Sequence, residues 1–299
     1  MKAMKYLFVV ILLGAGLAIS NGQNTPTPTT SLTPGNLSTP PPAANYVAPE
    51  DVYSRENIIP TKKAVPYSYI READVMWAKD VWRIIDLRQR MNYPLRYPET
   101  DPIESRYSLY LLLMEGIASE QITPYESNDN WNNPFQARTT KDQIYKKIGA
   151  TFIYNADSSQ IEFADVRGTY VKQFYVREKW YFDKQHSEMR VRIVALAPVL
   201  VLPKVQGSGT NRIVPYYVYF PECRRMFATH PVFNPNNDSQ SISFDDLFMQ
   251  RRFASTIAGE TNIHANRLII DFMSGQDALM EAERIKSDIF VQEHDLWEY

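Results

Sequence analysis

Residue types able to do chemistry are few in this sequence and lie far apart. Cys223 and His230 could in principle form a thiol nucleophile and its general base, a pairing that needs a third group to orient the imidazole. No oxyanion or orienting signature accompanies them, so a lone thiol is the simpler reading. Asp245 and Asp246 could be paired carboxylates for acid/base work, but Ser243-x-x-Asp246 also has the form of a helix N-cap, which explains them with less. His186, His230, His264 and His294 are dispersed and none forms a His-Glu-x-x-His pair; Glu293-His294-Asp295 alone cannot place three ligands around one ion. Asn128-Asp129-Asn130 and the stretch from Asn234 to Asp238 resemble pieces of calcium loops but lack the closing glutamate at its distance. Gly207-Ser208-Gly209 begins like a dinucleotide loop, yet Arg212 stands where the third glycine belongs, so a hairpin tip is expected. The Gly-x-Ser-x-Gly nucleophile elbow and the Gly-Lys-Ser/Thr phosphate loop are both missing. The expectation is a non-enzymatic protein without cofactor or metal.

The aromatic side chains offer a different kind of function. Tyr216, Tyr217, Tyr219 and Phe220 alternate across a strand, so both of its faces are core only if both are covered. Either these rings pack beneath helices, or they form a protein–protein interface, where tyrosine, tryptophan and arginine concentrate. Tyr216, Tyr217 and Tyr219 are the candidate interface.

The elements that must position these residues follow from periodicity. From Tyr69 to Met91, apolar Trp77, Val81, Ile84, Ile85 and Met91 recur at helical spacing among charged residues, which predicts a helix. Asp101-Pro102, with Glu104 behind it, predicts the start of a second helix with a stripe of Ile103, Tyr107, Leu111 and Met114. Thr140-x-x-Gln143, Ser243-x-x-Asp246 and Ser274-x-x-Asp277 open three more, the last carrying Ala278, Ala282, Ile285 and Ile289 on one face. Between them the period drops to two. Phe174/Val176 with Trp180/Phe182 form one strand, Met189/Val191/Ile193 the next, and Ile213 to Phe220 a third. Asp183 to Ser187 reads as a tight turn and Lys204 to Asn211 as a loop, connections too short for helical crossovers. The class is therefore α+β, an antiparallel β-meander of at least three strands flanked by helices.

Composition divides the 299 residues into three segments. With 32 basic against 34 acidic residues the net charge of −2 excludes binding to nucleic acid through overall basicity, and a single cysteine excludes an intrachain disulfide framework. Residues 1–20 read as an export signal: Lys2 and Lys5, an apolar run too short for a comfortable membrane span, then Ala18-Ile19-Ser20 at a cleavage site. No cysteine follows the apolar run, so a lipid anchor on this chain is not expected, nor is a direct membrane span. Removing Lys2 and Lys5 takes the charge from −2 to −4. Residues 21–49 hold seven of the twenty prolines among threonine and serine and read as a disordered tether biased to polyproline II. Residues 50–299, with 35 of the 38 aromatic side chains, are expected to form one globular body.

Three stretches of this body carry a family resemblance. Arg71-Glu72-Ala73-Asp74-Val75-Met76-Trp77-Ala78-Lys79-Asp80 and its continuation to Arg88 resemble the opening helix of the GldN/PorN family. Trp180-Tyr181-Phe182-Asp183-Lys184-Gln185, leading to Val191-Arg192-Ile193, is similar to that family's central hairpin. Ser243-Phe244-Asp245-Asp246-Leu247-Phe248 and the ending Glu293-x-Asp295-x-Trp297-Glu298-Tyr299 are similar to its C-terminal third. The resemblance runs from about Ile58 to the last residue and leaves out the tether. It implies a periplasmic structural part of the type IX secretion and gliding-motility apparatus of Bacteroidetes. The chain would self-associate in a large ring with a GldK/PorK-like outer-membrane lipoprotein, through which it would be held at the outer membrane. The ring would meet the periplasmic part of a GldM/PorM-like motor protein. Alternatives from other classes are an exported hydrolase with an unrecognised site and a carbohydrate-binding module built on the tyrosine-rich strands.

Overall fold

In the computed structural model, residues 61–295 are described except 104–105, 128–133, 149–150, 155–160, 165–167, 204–209, 235–236 and 238–240. The expected signal and tether, the Gly207-Ser208-Gly209 tip, Asn128-Asp129-Asn130 and Trp297-Glu298-Tyr299 lie outside the described residues.

The chain builds β1 (Val75–Asp86), α1 (Tyr93–Arg96), α2 (Leu109–Ala118), β2 (Pro124–Glu126), α3 (Lys141–Ile148), β3 (Thr151–Tyr154) and β4 (Ile161–Ala164). After these come β5 (Val171–Asp183), β6 (Glu188–Pro203), β7 (Thr210–Ile213), β8 (Tyr216–Tyr219) and α4 (Phe220–Thr229). The last are β9 (Pro231–Val232), β10 (Ile242–Ser243), α5 (Phe244–Met249), β11 (Thr256–Glu260) and α6 (Gly275–Asp295). Seven strands form one antiparallel sheet in the order β11-β1-β5-β6-β8-β2, with β7 also paired to β6; β9–β10 and β3–β4 are separate pairs. The fold is α+β, as the periodicity implied.

Its spine is the hairpin of β5 and β6, paired from Asp183↔Glu188 at the turn to Val171↔Leu200 at the far end, with register shifts at Arg177/Glu178 and Val171/Gln173. Ser187 closes the turn with φ of +52°, and the backbone N–H of Gln185 donates to Asp183 Oδ1 at 3.0 Å, a turn geometry that short polar residues supply. Alternation then sorts side chains by face. Phe174 and Val176 enter the main core, whereas Tyr175 between them joins a second cluster with Ala195, Ala197, Val199 and Tyr217.

Two helices expected from sequence are corrected. The stretch from Tyr69 to Met91 is β1, preceded by a 3-10 turn at Glu72–Asp74 and followed by another at Arg90–Asn92. Trp77, Val81 and Ile85 satisfy a period of two as well as a helical one. Pairing with β5 on one side and β11 on the other decides between them. The second helix does not start at Asp101. Ile103 and Arg106 instead pair their backbone groups, and α2 begins after Ser108, whose Oγ accepts from the N–H of Leu111. Leu109-Tyr110-Leu111-Leu112-Leu113 leaves little polar surface, so this helix is inside. Gly116 lets it approach α4, since a Cβ there would stand 2.9 Å from Met226 Sδ and 2.4 Å from Ile122 Cδ1.

The third strand is also shorter than expected. Its run from Ile213 breaks at Val214-Pro215 into β7 and β8, and Phe220 opens α4, with Pro221 in the first turn where a missing N–H costs nothing. The capped helices stand as read: Thr140 and Gln143 exchange hydrogen bonds at the start of α3, Ser243 and Asp246 form a capping box on α5, and α6 buries Ile285 and Ile289 against Val81 and Ile257.

Helices α2, α3, α4 and α5 cover one part of a sheet face, where Phe220, Phe227, Phe244, Phe248 and Phe253 meet with centroids 5.3 to 5.9 Å apart, edge-on or tilted except for the stacked pair Phe227–Phe248. Helix α6 covers another part. Between these two cores, Glu178 is wholly buried and accepts from Arg251 Nη2 at 2.8 Å and from Trp180 Nε1 at 3.0 Å. Beside it Arg83 Nε donates to Ser255 Oγ at 2.8 Å. This polar seam is fully paired at Glu178, as a buried charge requires.

Candidate functional site

The residues singled out for chemistry are occupied by structural work. Cys223, on the inner face of α4, is buried and free, and its thiol donates to the carbonyl of Tyr219 at 3.4 Å. Burial drives its pKa up, with Glu222 adding to the shift, so the thiolate needed for attack is suppressed. His230 lies just beyond the helix end. Its Nδ1 is 2.9 Å from the Met226 carbonyl, and its ring meets Tyr107 edge-on at 5.3 Å. The helix separates the two side chains instead of joining them.

Asp245 and Asp246 do not act as a pair either. Arg224, projecting from α4, binds Asp245 through Nε at 2.8 Å and Nη2 at 3.1 Å, and both side chains are buried. The ring of Tyr67 lies 4.2 Å from that guanidinium. Asp246 points the other way, accepting from Ser243 as its cap and from Lys62. Desolvation raises its pKa, but the hydrogen bonds from Lys62 and Ser243 outweigh it and hold the carboxyl below its ordinary range. Asp183, enclosed at the β5–β6 turn, is held low in the same way: desolvation is outweighed by His186 Nδ1 at 2.7 Å and the Gln185 N–H. Among the described residues no group of three His, Cys, Asp or Glu could hold a metal ion.

The three candidate interface tyrosines part company. Tyr216 is 0% exposed, inside the phenylalanine-rich core, with burial raising its pKa and, among the described residues, no hydrogen-bond partner for its hydroxyl. Tyr217 is 5% exposed on the opposite face, in the cluster packed against Tyr125 and Phe135. Only Tyr219, 42% exposed with its ring edge-on to Phe135 at 5.5 Å, presents surface. A carbohydrate platform on Tyr216 and Tyr217 therefore has no accessible rings.

Large apolar side chains reach the surface at two places of note, among others. One is a groove of about 860 Å³ after β1, lined by Met91, Tyr93, Tyr97, Ile103 and Phe233. All five are more than a third exposed. Among the described residues of its lining the charged ones are Arg90 and Arg106, the latter 5.5 Å from the Phe233 ring. The second is the outer face of α6. With Ile285 and Ile289 turned inward, Leu279, Met280, Phe290 and Val291 face solvent, Phe290 at 68% exposure. Between the two apolar ends of that face lies the ion pair of Glu283 with Lys286 at 3.0 Å. Residues lining the groove come from 90–106 and from 233, so their meeting is a product of the fold. For α6 the signal was present: Leu279, Met280, Phe290 and Val291 fall off the Ala278/Ala282/Ile285/Ile289 stripe.

Among the described residues, no helix is long and apolar enough to cross a membrane. Residues 70–298 match the family described as "Gliding motility associated protein GldN". No curated protein matches the chain. A match over this share of the sequence settles the matter of kinship: the chain belongs to the GldN family, and its membership makes it a component of the gliding-motility and type IX secretion machinery.

Proposed function

We propose that this member of the GldN family is a non-enzymatic periplasmic scaffold subunit, part of a large ring built with a GldK/PorK-like outer-membrane lipoprotein and contacted by the periplasmic part of a GldM/PorM-like motor protein. The family match over residues 70–298 carries this reading. The disposition of side chains agrees with it. Arg224, Asp245, Asp246 and Glu178 are spent on internal pairs, while apolar groups crowd two outer surfaces, as in proteins that bind other proteins. Attachment to the outer membrane would come from the lipoprotein. The mechanism is positional: repeated contacts hold subunits in a closed array, and load passes through them.

The test is affinity recovery of the tagged chain from detergent-extracted outer membranes of the native cell. The expected result is a megadalton assembly containing a lipoprotein in stoichiometric amount. A monodisperse chain recovered alone would overturn the proposal, as would hydrolase activity lost in an Asp245→Asn or Cys223→Ala variant that remains folded.

A further inference from the structure

We infer that residues 62–70 form a releasable strap, which peels off the body from Lys62 inward, stops at Asp74 and leaves the sheet folded. Three side-chain anchors hold it. Lys62 bonds Asp246 on α5. The ring of Tyr67 has the Arg224 guanidinium of α4 at 4.2 Å from its centroid and that of Arg192, on β6, at 4.8 Å. Ser68 accepts twice, at Oγ from Arg190 Nη1 at 3.0 Å and at its carbonyl from Arg192 Nη2 at 2.5 Å. Beyond these anchors little fastens the segment. Among the described residues, none of 62–70 is buried, makes a backbone–backbone hydrogen bond or joins an apolar cluster. Val65 and Tyr69 are exposed, and Ile70 lines an open hollow of about 330 Å³ with Tyr181, Arg192 and Val194. Few buried apolar contacts and an exposed backbone place a segment at the low end of local stability.

At Asp74 the attachment changes in kind. This is the first buried residue after the strap. Its carbonyl accepts from the Lys184 N–H at 2.9 Å, and its Oδ2 accepts from Gln185 Nε2 at 2.9 Å and Arg71 Nε at 2.8 Å. Strand β1 begins at the next residue, with Val75 paired to Asp183. A pull on the chain ahead of residue 62 therefore meets the anchors one after another. Each is a partly exposed ion pair or ring contact of modest strength, and only Asp74 is both buried and tied by its backbone. Release adds nine residues, about 30 Å at roughly 3.3–3.6 Å each, to the reach of the segment before it. In a ring subunit this slack lets the N-terminal side follow a moving partner while the body keeps its contacts; the release itself needs no ring.

Lys62 and Lys63 are the first lysines after Lys5, and Lys79 follows inside β1, so a lysine-specific protease reads the strap with little background. The purified full chain is digested in native buffer, and the rate of cutting after Lys63 is normalised to a lysyl peptide in the same solution. That rate tracks the population of the open form when opening and closing are fast relative to cleavage. Tyr67→Ala, four residues beyond the cut, is expected to raise the rate about tenfold through loss of its cation–π contacts, with the urea transition of the body unmoved. Arg192→Gln is expected to raise it by a smaller factor. In the wild-type chain the rate is expected to stay flat in urea well below the unfolding transition, because releasing the strap exposes little surface. Lys79 is expected to stay uncut under the same conditions. A rate unchanged by both substitutions would overturn the inference, since the segment would then not move as one unit. So would a rate that climbs with urea in parallel with global unfolding, or cutting at Lys79 that keeps pace with cutting at Lys63.

Discussion

The two cores on the inner face of the sheet are built to different standards. Under α2, α3, α4 and α5, five phenylalanines interlock with Tyr216, Leu109, Leu112 and Leu113, and the helices show solvent little apolar surface beyond Met249. Under α6 the buried set shrinks to Val81, Ile257, Ile269, Ile285 and Ile289, and the helix leaves four large apolar side chains exposed against the two it buries. The Glu178–Arg251–Arg83 seam runs between them. A helix with apolar residues on both sides reads as an element with two partners, of which its own sheet is one. The first core gathers most of the buried aromatic side chains; the second seats a single helix that is apolar on both sides.

Three perturbations would break or sharpen that contrast. Phe227→Ala removes a ring that touches Phe220, Phe244 and Phe248, and large-to-small changes of this kind cost about 3–5 kcal/mol. Denaturant unfolding is expected to lose that amount in one cooperative transition. Ile289→Ala in the α6 seam should cost less, about 2 kcal/mol at the low end for such a truncation. Hydrogen exchange should show α6 amides opening while β5 and β6 stay protected. Equal loss of protection throughout would mean that the two cores are one.

The smallest effect concerns pH, and both ends contribute. Asp246 at α5 and Asp183 at the β5–β6 turn have carboxyls held below their ordinary range in the folded chain. The unfolded chain therefore takes up protons first, so their stabilisation is fully present above the ordinary carboxylate pKa of about 4 and is lost as pH falls through the lowered folded values. Asp246→Asn should lower stability at neutral pH by about 1 kcal/mol, the worth of a cap, and flatten the acid limb of the stability profile. An unchanged acid limb would show that this carboxylate is not coupled to folding.

Sequence revealed the parts whose signal is local. The boxes at Thr140/Gln143 and Ser243/Asp246 name their helices because both partners lie within one turn, and β5 and β6 announce themselves by the alternation of Trp180/Phe182 and of Met189/Val191/Ile193. That same alternation places Glu178 with Val176 and Trp180 on the inner face, so the polar seam was legible in retrospect. The stretch of β1 was ambiguous because Trp77, Val81 and Ile85 fit either period, and only its neighbours β5 and β11 settle it. Helix α4 was hidden by the strand running directly into Phe220-Pro221. Of the tyrosines chosen for their surface chemistry, Tyr216 and Tyr217 lie on opposite faces of one strand, and burial of both depended on Tyr125, Phe135 and the helices, which spacing along β8 does not encode. The groove was invisible for the same reason, since Phe233 reaches Tyr97 only through the fold.

The most direct measurement of the central claim, that this chain acts through its outer surfaces and not through its reactive side chains, is secretion and gliding in native cells that carry single changes at each. Cys223→Ala, His186→Gln and His230→Asn are expected to secrete and glide as the wild type does. Phe290→Glu combined with Leu279→Glu, both exposed on α6, is expected to abolish both processes while the protein accumulates to normal level. Lost secretion in a folded Cys223→Ala variant, or wild-type secretion with the α6 face charged, would contradict the account.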